Sequence, residues 1–340
     1  MKQARHRSAP PQFAAILIIL IVFAGGLLYY MLAMPGSVPG SDLPSLTASQ
    51  MEQRDRLRSH VEHLAGTIGK RNTENPGTLA RTVDYLQAQL ESMALMPHRL
   101  EYETGEFGSF VNLETEIYGT THADEILVIG AHYDTVWPTP GADDNASGVA
   151  VLLEIARQFA GRRFDRTLRL VAFPNEESPH YGTSRMGSKV YARRASERGD
   201  NIIGMFSLEM LGYYDTAPGS QGFPRVIEPF YPDRGDFVAF VANLASVGLL
   251  RNTVGRFREH ASIPSYGLAA PVMLVPDIRR SDHAMFWPHG YPAIMITDTA
   301  GFRNPHYHRH TDVPDTLDYD RMVLVVEGLS RTFAQLATVD

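Results

Sequence analysis

Apolar and polar positions along the chain alternate between two periods, one typical of strands and one typical of helices. Short apolar runs predict buried strands at 126–131, 168–173, 202–208 and 292–297. Ser147 to Ala160 and Met186 to Arg198 carry apolar residues at helical spacing, and Gly199 predicts the end of the second helix. Asp318 predicts the N-cap of a closing helix.

This order of elements predicts an α/β fold with three layers, in which a central, mostly parallel mixed β-sheet is flanked by helices. The Gly/Pro-rich interval 218–234 predicts a long loop or lid. In open α/β sheets, ligands bind beyond the carboxyl ends of the strands. The polar residues at those ends are therefore the first candidates for a functional site.

The N-terminal segment has a different pattern. Residues 1–12 form a basic leader, and the stretch from Phe13 to Ala33 is uncharged and rich in large apolar residues. A membrane-spanning helix needs about 20 such residues, whereas the apolar core of a cleaved signal peptide has about 7–15. The length favours an uncleaved transmembrane signal-anchor over 13–33. An alternative remains open, in which a cleaved signal peptide has a shorter apolar core that ends at Gly25-Gly26 and a processing site at Leu32-Ala33.

Basic residues stay on the cytoplasmic side of a membrane. Lys2, Arg5 and Arg7 therefore predict a single-pass protein whose N-terminus is cytoplasmic and whose C-terminal domain is periplasmic or extracellular. Residues 34–45 are rich in Pro and Gly and predict a spacer. The folded domain is expected over 46–340.

The amino-acid composition excludes several classes of partner and of functional site. The chain has 340 residues, 44% of them hydrophobic, which is enough for a large core. Its formal net charge of −7, with no basic run beyond the leader, predicts no nucleic-acid partner. It has no cysteine, which excludes disulfides, thiolate nucleophiles and Cys-type zinc sites. Any metal must be held by His, Asp and Glu.

Several groups of such residues follow predicted strands or open a predicted helix. His132 follows the first strand, and Asp134 beside it could hold the second nitrogen of the imidazole. Asp143 and Asp144 open the helix, where plain N-capping would need only one carboxylate. A structural role for each residue remains open at this level, because a histidine near a strand end is more often structural than a ligand.

Glutamates mark the ends of the next two strands. Glu176 and Glu177 are adjacent and would repel each other unless a cation or a proton lay between them. Glu209 ends an apolar strand and needs a partner there. A last cluster places three histidines at alternate positions, and at least one is expected to be a ligand, although a solvated loop is an alternative. They are His306, His308 and His310.

Two or more histidines and several carboxylates make a site suited to zinc, with manganese or cobalt as possible substitutes. The order of these residues resembles the di-zinc aminopeptidase family that includes bacterial leucyl aminopeptidases, glutamate carboxypeptidase II and the glutaminyl cyclases. The resemblance spans about residues 50 to 340. It is carried by His132-x-Asp134, Gly141-Ala142-Asp143-Asp144-Asn145, Glu176-Glu177, Glu209 and Tyr307-His308.

The resemblance implies a role for each matching residue. Asp144 becomes the bridging ligand of two zinc ions, with His132 and Glu209 on one side and Glu177 and His308 on the other. Many members have Asp where this chain has Glu209, and the longer side chain still reaches.

The remaining roles concern catalysis and the residues around it. Glu176 becomes the general base, Asp134 supports His132, and Tyr307 is a candidate hydrogen-bond donor to the substrate, with a packing role as the alternative. Asp282 and His283 lie in a segment, Ser281-Asp282-His283, that is expected to act behind the ligands or on the substrate side.

The implied function is a zinc-dependent aminopeptidase that acts on peptides with a free N-terminus. Two alternatives remain at this level. The first is a glutaminyl cyclase-like, one-zinc aminoacyltransferase, which needs no activated water. The second is a non-catalytic cell-surface binding module that uses the same cleft.

Overall fold

The protein is described by a computed structural model that covers residues 11–40, 42–105 and 108–339. Eight strands form one mixed sheet in the order β1-β2-β4-β3-β5-β8-β6-β7. The strands are β1 Pro97–Glu103, β2 Ser109–Ile117, β3 His122–His132, β4 Arg166–Phe173, β5 Asn201–Glu209, β6 Val238–Asn243, β7 Ser265–Ala270 and β8 Ala293–Thr297.

Seven α-helices accompany the sheet in the described part of the chain. They are α1 Pro11–Leu32, α2 Ala48–Val61, α3 Pro76–Ser92, α4 Gly148–Phe159, α5 Gly187–Arg198, α6 Val247–His260 and α7 Tyr319–Leu336. Turns of π-helix extend α2 over Glu62–Ile68 and precede α4 over Ala142–Ser147. The predicted α/β fold with a mixed central sheet is confirmed.

The centre of the sheet is parallel and its flanks contain the antiparallel pairs. β4, β3, β5 and β8 pair in parallel, so their carboxyl ends meet at one edge of the sheet. β1 and β2 add antiparallel strands on one side, and β6 joins β8 antiparallel on the other. This arrangement brings the polar residues that follow β3, β4 and β5 to one place.

One face of the sheet carries the larger apolar core. There α4 and α7 pack against the central strands with fully buried side chains such as Ile155, Phe159, Val326 and Phe333. A smaller core on the other face includes Phe173, Tyr191 and Phe286. Both faces of the central strands are thus covered by helices, as buried parallel strands require.

The N-terminal helix α1 covers the segment predicted as a transmembrane signal-anchor. The basic leader with Lys2, Arg5 and Arg7 lies in residues 1–10, outside the described part. Among the residues that the structure describes, no helix combines the length and the apolar character that a membrane crossing needs. The predicted transmembrane helix is therefore not supported. The end of α1 packs instead on the domain, through Met31 and Leu32.

Candidate functional site

The carboxyl ends of β3, β4 and β5 form the floor of the candidate site. His132 is the last residue of β3 and pairs in register with Phe173, the last residue of β4. Glu209 ends β5 on the other side of β3. Glu176 and Glu177 follow β4 after a turn in which Asn175 has a positive φ of 61°. Three neighbouring strands thus deliver one imidazole and three carboxylates to one edge of the sheet.

Asp144 enters the site from the π-helical turn that opens α4. The turn begins at Gly141, whose φ of 66° is left-handed and whose absent Cβ would lie 2.2 Å from the Asp144 carbonyl oxygen. Arg71 is fully buried and donates hydrogen bonds to the carbonyl oxygens of Tyr133, Pro140 and Gly141. One guanidinium therefore holds the backbone on both sides of the loop between His132 and Asp144.

The five residues predicted as metal ligands come together as two groups that share Asp144. The ligand atoms of each group lie within 4.8 Å of one another. In the first group, His132 Nε2 lies 3.4 Å from Asp144 Oδ1 and 3.4 Å from Glu209 Oε2. In the second, His308 Nε2 lies 3.1 Å from Asp144 Oδ2 and 3.3 Å from Glu177 Oε1. Asp144 thus turns one oxygen to each group.

The Asp134 side chain connects the carboxyl ends of β3 and β4. Its Oδ1 accepts a hydrogen bond from the backbone N–H of Glu176 at 3.0 Å, and its Oδ2 accepts one from Glu177 at 3.1 Å. The same Oδ1 lies 3.5 Å from His132 Nδ1. Asp134 therefore orients the imidazole and fixes the two glutamates at once, as a carboxylate behind a metal-binding histidine does.

Acidic groups outnumber cationic ones at the site, and the pKa values reflect this. Burial raises the pKa of Glu176 well above its ordinary range, and burial together with Asp144 raises that of Glu177 to about 7. Burial lowers the pKa of His308, but the nearby carboxylates of Asp144 and Glu177 outweigh burial and raise that pKa to about 10. The same contacts with His132 and His308 overcome burial at Asp144 and lower its pKa.

The site fits a pair of cations by its donor atoms. Among the carboxylate oxygens of the two ligand groups, Asp144 Oδ1 and Glu177 Oε1 are buried and make no hydrogen bond to the described residues. Leaving buried carboxylate oxygens without partners is costly, and cations bound between the two groups would remove that cost. Imidazole nitrogens and carboxylate oxygens, with no thiolate, are ligands that zinc accepts.

Glu176 and Tyr307 stand beside these groups. The side chain of Glu176 is 7% exposed and makes no hydrogen bond to another described residue, so it remains available. The Tyr307 ring stacks on His308 with 3.8 Å between ring centroids. Burial, and then the nearby carboxylates, raise the pKa of Tyr307, so its hydroxyl stays protonated and able to donate.

A cavity of about 510 Å³ opens from this edge of the sheet. Glu209 and Tyr307 of the candidate site are among the residues that line it. Most of its remaining wall is apolar or aromatic, and it includes Phe223, Ile227, Tyr231, Phe237, Tyr266, Leu268 and Met295. The loop 218–234, predicted as a loop or lid, contributes the first three of these residues.

Asp282 and His283, which were expected to act behind the ligands or on the substrate side, have different surroundings in the structure. Asp282 is fully buried behind the site, and burial raises its pKa to about 7. His283 Nε2–H donates a hydrogen bond to the Ile278 carbonyl oxygen at 2.7 Å, and the ring packs edge-on against Trp287. Burial lowers the pKa of His283 to about 4, so the ring is neutral. Among the described residues, the hydrogen bond of His283 goes to Ile278 and not to any of the five ligands, and the role predicted for His283 stays a prediction.

Three further residues hold the ligands in place; of these, Asn145 and Ser281 lie in sequence motifs already noted, whereas Asp312 was not predicted. Asp312 accepts hydrogen bonds from the backbone N–H groups of Asp143 and Asp144. Asn145 bonds to the backbone at Leu208 and Met210, on both sides of Glu209. Ser281 donates to Glu209 Oε2 at 2.6 Å. The pattern Thr311-Asp312 near the histidines was the only signal for Asp312.

Comparison with known proteins agrees with this site. The model of Peptidase family M28 matches residues 112–332. Protein YfbL of Escherichia coli (strain K12) is 38% identical over 285 residues, which cover 81% of this chain and 86% of that protein. The chain belongs to peptidase family M28. The resemblance to the di-zinc aminopeptidases is thereby confirmed, and this M28 peptidase is a zinc-dependent hydrolase.

More distant relatives agree with the same family. A probable leucine aminopeptidase of Arthroderma otae (strain ATCC MYA-4605 / CBS 113480) is 26% identical, and the match covers 71% of this chain and 60% of that relative. The solved zinc aminopeptidase BSAP of Bacillus subtilis has a TM-score of 0.66 at 13% identity, with 84% of this chain and 95% of that one covered.

A solved glutaminyl cyclase shares the fold as well. The enzyme of Fimbriiglobus ruber has a TM-score of 0.58 at 18% identity, and the superposition covers 86% of this chain and 97% of that one. At such identities the solved structures show the fold alone. The M28 family therefore fixes the class of chemistry, whereas the choice between these two reactions depends on the residues of this chain.

Proposed function

We propose that this M28 peptidase is a two-zinc aminopeptidase that hydrolyses the N-terminal peptide bond of peptides. One observation carries the proposal: two complete ligand groups share Asp144, and Glu176 stands beside them without a hydrogen-bond partner among the described residues. A one-metal enzyme needs only one such group. A binding protein without turnover needs no uncommitted base.

The five ligands would hold the ions in two sets. His132, Asp144 and Glu209 would bind one zinc, and Asp144, Glu177 and His308 the other. Bound there, zinc supplies Lewis-acid polarisation of the substrate carbonyl and lowers the pKa of water.

The remaining steps belong to the protein's own side chains. Glu176 accepts the proton of the attacking water and returns it to the leaving amine, as a positioned general base does. The Tyr307 hydroxyl, held protonated, donates to the oxygen that becomes negative. Asp134 keeps Glu176 and His132 in their relative positions.

The acidic surroundings also explain why the cut falls next to the N-terminus. The substrate's free ammonium group is attracted to the carboxylates of Glu209 and Glu176 in a partly desolvated site. An internal peptide bond brings no such charge. A blocked N-terminus should therefore abolish hydrolysis.

The apolar cavity supports a preference for a large apolar first residue. Glu209 and Tyr307 line this cavity, and its volume of about 510 Å³ accommodates the side chain of Leu, Met or Phe. The relative in Arthroderma otae carries the name of a leucine aminopeptidase, which agrees with this preference.

A panel of aminoacyl p-nitroanilides with added zinc tests the proposal. We expect leucyl and phenylalanyl substrates to be cleaved faster than alanyl ones, and acidic ones least. The N-acetylated leucyl substrate is the matched control and should be inert. Equal cleavage of the acetylated and free substrates would contradict the aminopeptidase proposal.

Glutaminyl cyclisation is the second candidate, supported by the shared fold of the Fimbriiglobus ruber enzyme. It predicts one bound zinc per chain and release of pyroglutamyl peptides from N-terminal glutamine. A cell-surface binding module predicts neither reaction. Zinc analysis and the product from Gln-Phe-amide distinguish these outcomes from hydrolysis.

The location of the domain across a membrane remains a prediction that rests on the sequence of residues 1–33. Lys2, Arg5 and Arg7 would keep the N-terminus in the cytoplasm. A reporter fused after Asp340 should then lie in the periplasm or outside the cell. A cytoplasmic reporter would contradict this part of the proposal.

A further inference from the structure

The outermost strand of the sheet, β7, forms one wall of the apolar cavity. It lies at the end of the strand order, beside β6. Tyr266, Gly267 and Leu268 of this strand line the cavity, and Tyr231 donates a hydrogen bond to the Gly267 carbonyl oxygen at 2.8 Å. An edge strand is held on one side only, so its position depends on what packs against its faces.

The last two residues of α1 and the segment after them pack on the two faces of β7. Side chains of successive strand residues point to opposite faces. Met31 and Leu32 pack against the apolar cluster to which Leu268 and Ala270 belong, and Leu268 lines the cavity. Met34 is buried on the other side, where a Cβ on Gly267 would lie 2.6 Å from Met34 Cγ. Residues 31–34 therefore enclose the strand.

Arginines of α6 fix this segment to the domain. Arg258 donates hydrogen bonds to the carbonyl oxygens of Met34 and Pro35, each at 3.0 Å, and of Gly36 at 3.1 Å. The same side chain donates to the Ser265 carbonyl oxygen, at the start of β7, at 2.7 Å. A single guanidinium thus joins the segment to the strand. Arg251 adds bonds to the carbonyl oxygens of Tyr30 and Ala33.

The apolar cluster under the cavity is continuous with these contacts. Ile227, Val275 and Ile278 line the cavity and belong to the cluster against which Met31 and Leu32 pack. A change in the segment therefore reaches the cavity wall without passing through the metal ligands. None of residues 31–36 lines the cavity itself.

We propose that residues 31–36 buttress the β7 wall of the cavity and thereby set the affinity for the substrate's first side chain. The proposal rests on the assignment of this cavity to that side chain. The segment acts by position, through β7, and touches neither the substrate nor the ligands. It should therefore affect KM for bulky substrates and leave kcat unchanged.

Met34→Ala tests this in the full-length protein. Met96→Ala is the matched control, because Met96 is 76% exposed and precedes β1 at the opposite edge of the sheet. We expect Met34→Ala to raise KM for leucyl p-nitroanilide about 3–10-fold, somewhat below the effect of one methylene in a tight pocket. Its kcat, its zinc content and its KM for alanyl p-nitroanilide should equal those of the control.

Gly267→Ala tests the same contact from the strand. The added methyl group meets the Met34 side chain and displaces one of the two, so this variant should also raise the leucyl KM. In the double variant with Met34→Ala the collision is gone, and the combined effect should be smaller than the product of the single effects. This cycle remains informative if Met34→Ala reduces the yield of folded protein.

Hydrogen exchange at 265–270 supplies a readout that needs no substrate. Faster exchange in Met34→Ala than in Met96→Ala, together with the KM change, supports the proposal. Unchanged exchange, or faster exchange with an unchanged leucyl KM, overturns it while the aminopeptidase proposal stands. If the wild-type enzyme does not prefer leucyl over alanyl substrates, the cavity assignment fails, and the buttress role fails with it.

Discussion

Glu154 and Asp144 are both buried carboxylates in or next to α4, yet their partners differ in kind. Glu154 accepts hydrogen bonds from Arg56 at 2.9 and 3.0 Å and from Arg157 at 3.2 Å, with Gln53 at 3.4 Å. Asp144 faces two histidines and shares its surroundings with other carboxylates. The first cluster is neutralised by permanent cations of the protein, whereas the second is not.

The difference shows how a structural cluster and a binding site can be distinguished. The Glu154 cluster joins α2 to α4, and both oxygens of its carboxylate have guanidinium donors. In the other cluster, Asp144 Oδ1 and Glu177 Oε1 are buried without a hydrogen bond to the described residues. Buried carboxylates that face histidines, with no hydrogen bond from an arginine or a lysine, indicate a site for a cation from solution. Predictions for the two clusters should therefore diverge.

Asp144→Asn should have the largest effect. The amide keeps the shape of the side chain but removes the negative charge that lies between the two ligand groups, so both cations are held less tightly. We expect zinc content and kcat/KM to fall together. The fall in kcat/KM should exceed about 10⁴-fold, which is the most that loss of a general base alone costs. Elemental analysis that finds full zinc in this variant would show that Asp144 does not bridge.

Glu176→Gln should separate catalysis from metal binding. Glutamine cannot accept the proton of water, so turnover should fall by about 10²–10⁴-fold while zinc content stays at the wild-type level. Single-turnover and steady-state rates with leucyl p-nitroanilide measure the first effect, and elemental analysis the second. A rate near that of the wild type would assign the base to another residue.

Removal of zinc should destabilise the protein through the Asp144 cluster only. A ligand present at 100 times its Kd stabilises the folded state by about 2.7 kcal/mol. We therefore expect chelation to lower the urea midpoint of the wild type, and added zinc to restore it. Glu154→Gln should show the same zinc-dependent shift, whereas Asp144→Asn should show little of it. An equal shift in both variants would place the zinc elsewhere.

Glu154→Gln should give the opposite pattern from Asp144→Asn. It replaces one buried carboxylate by an amide at the other cluster and weakens its charge-assisted hydrogen bonds, at a cost of about 1–3 kcal/mol in the free energy of unfolding. Because the Arg56 side chain is 38% exposed, it can turn to water, which limits the loss. Zinc content and kcat/KM should stay unchanged. A loss of zinc here would mean that the clusters are coupled.

The sequence predicts the Asp144 cluster well because its chemistry follows strand ends. His132, Glu176 and Glu209 are each at or just beyond the end of a short apolar run, and the parallel order of β3, β4 and β5 makes those ends adjacent. Apolar periodicity and the rule on carboxyl ends suffice for this step. The α/β class follows from the same pattern.

The sequence pattern alone does not show which of the three histidines is the metal ligand. His306 Nδ1 is bonded to Thr311 Oγ1 at 2.9 Å, and His310 is exposed. His308 alone reaches Asp144 and Glu177, from a backbone with a positive φ of 58°. The alternate spacing of the three histidines does not distinguish one from another, so only the resemblance to the family indicated His308. A left-handed residue other than glycine is set by its surroundings, which the sequence does not display.

Contacts between segments that are distant in the sequence could not be predicted from it. Asp312 lies 168 positions from Asp144 and supports it through backbone hydrogen bonds. Arg71 holds the loop before Asp144 through carbonyl oxygens alone, which leave no charge pattern in the sequence. The elements over 48–117 and 238–270 were not assigned from periodicity. The contacts of residues 34–36 with α6 were likewise not anticipated for a segment rich in Pro and Gly.

Arg157→Ala should have the smallest effect and shows how far the Glu154 cluster is redundant. Arg157 is 35% exposed and bonds to Glu154 Oε1 at 3.2 Å, an oxygen that Arg56 also reaches. Because a partly exposed pair contributes little, we expect a loss of about 0.2–1 kcal/mol in the free energy of unfolding, measured in urea. Arg193→Ala is the matched control, since its partner Glu197 is exposed on α5. A loss as large as that of Glu154→Gln would show that Arg56 alone cannot neutralise the carboxylate, and that the cluster needs both arginines.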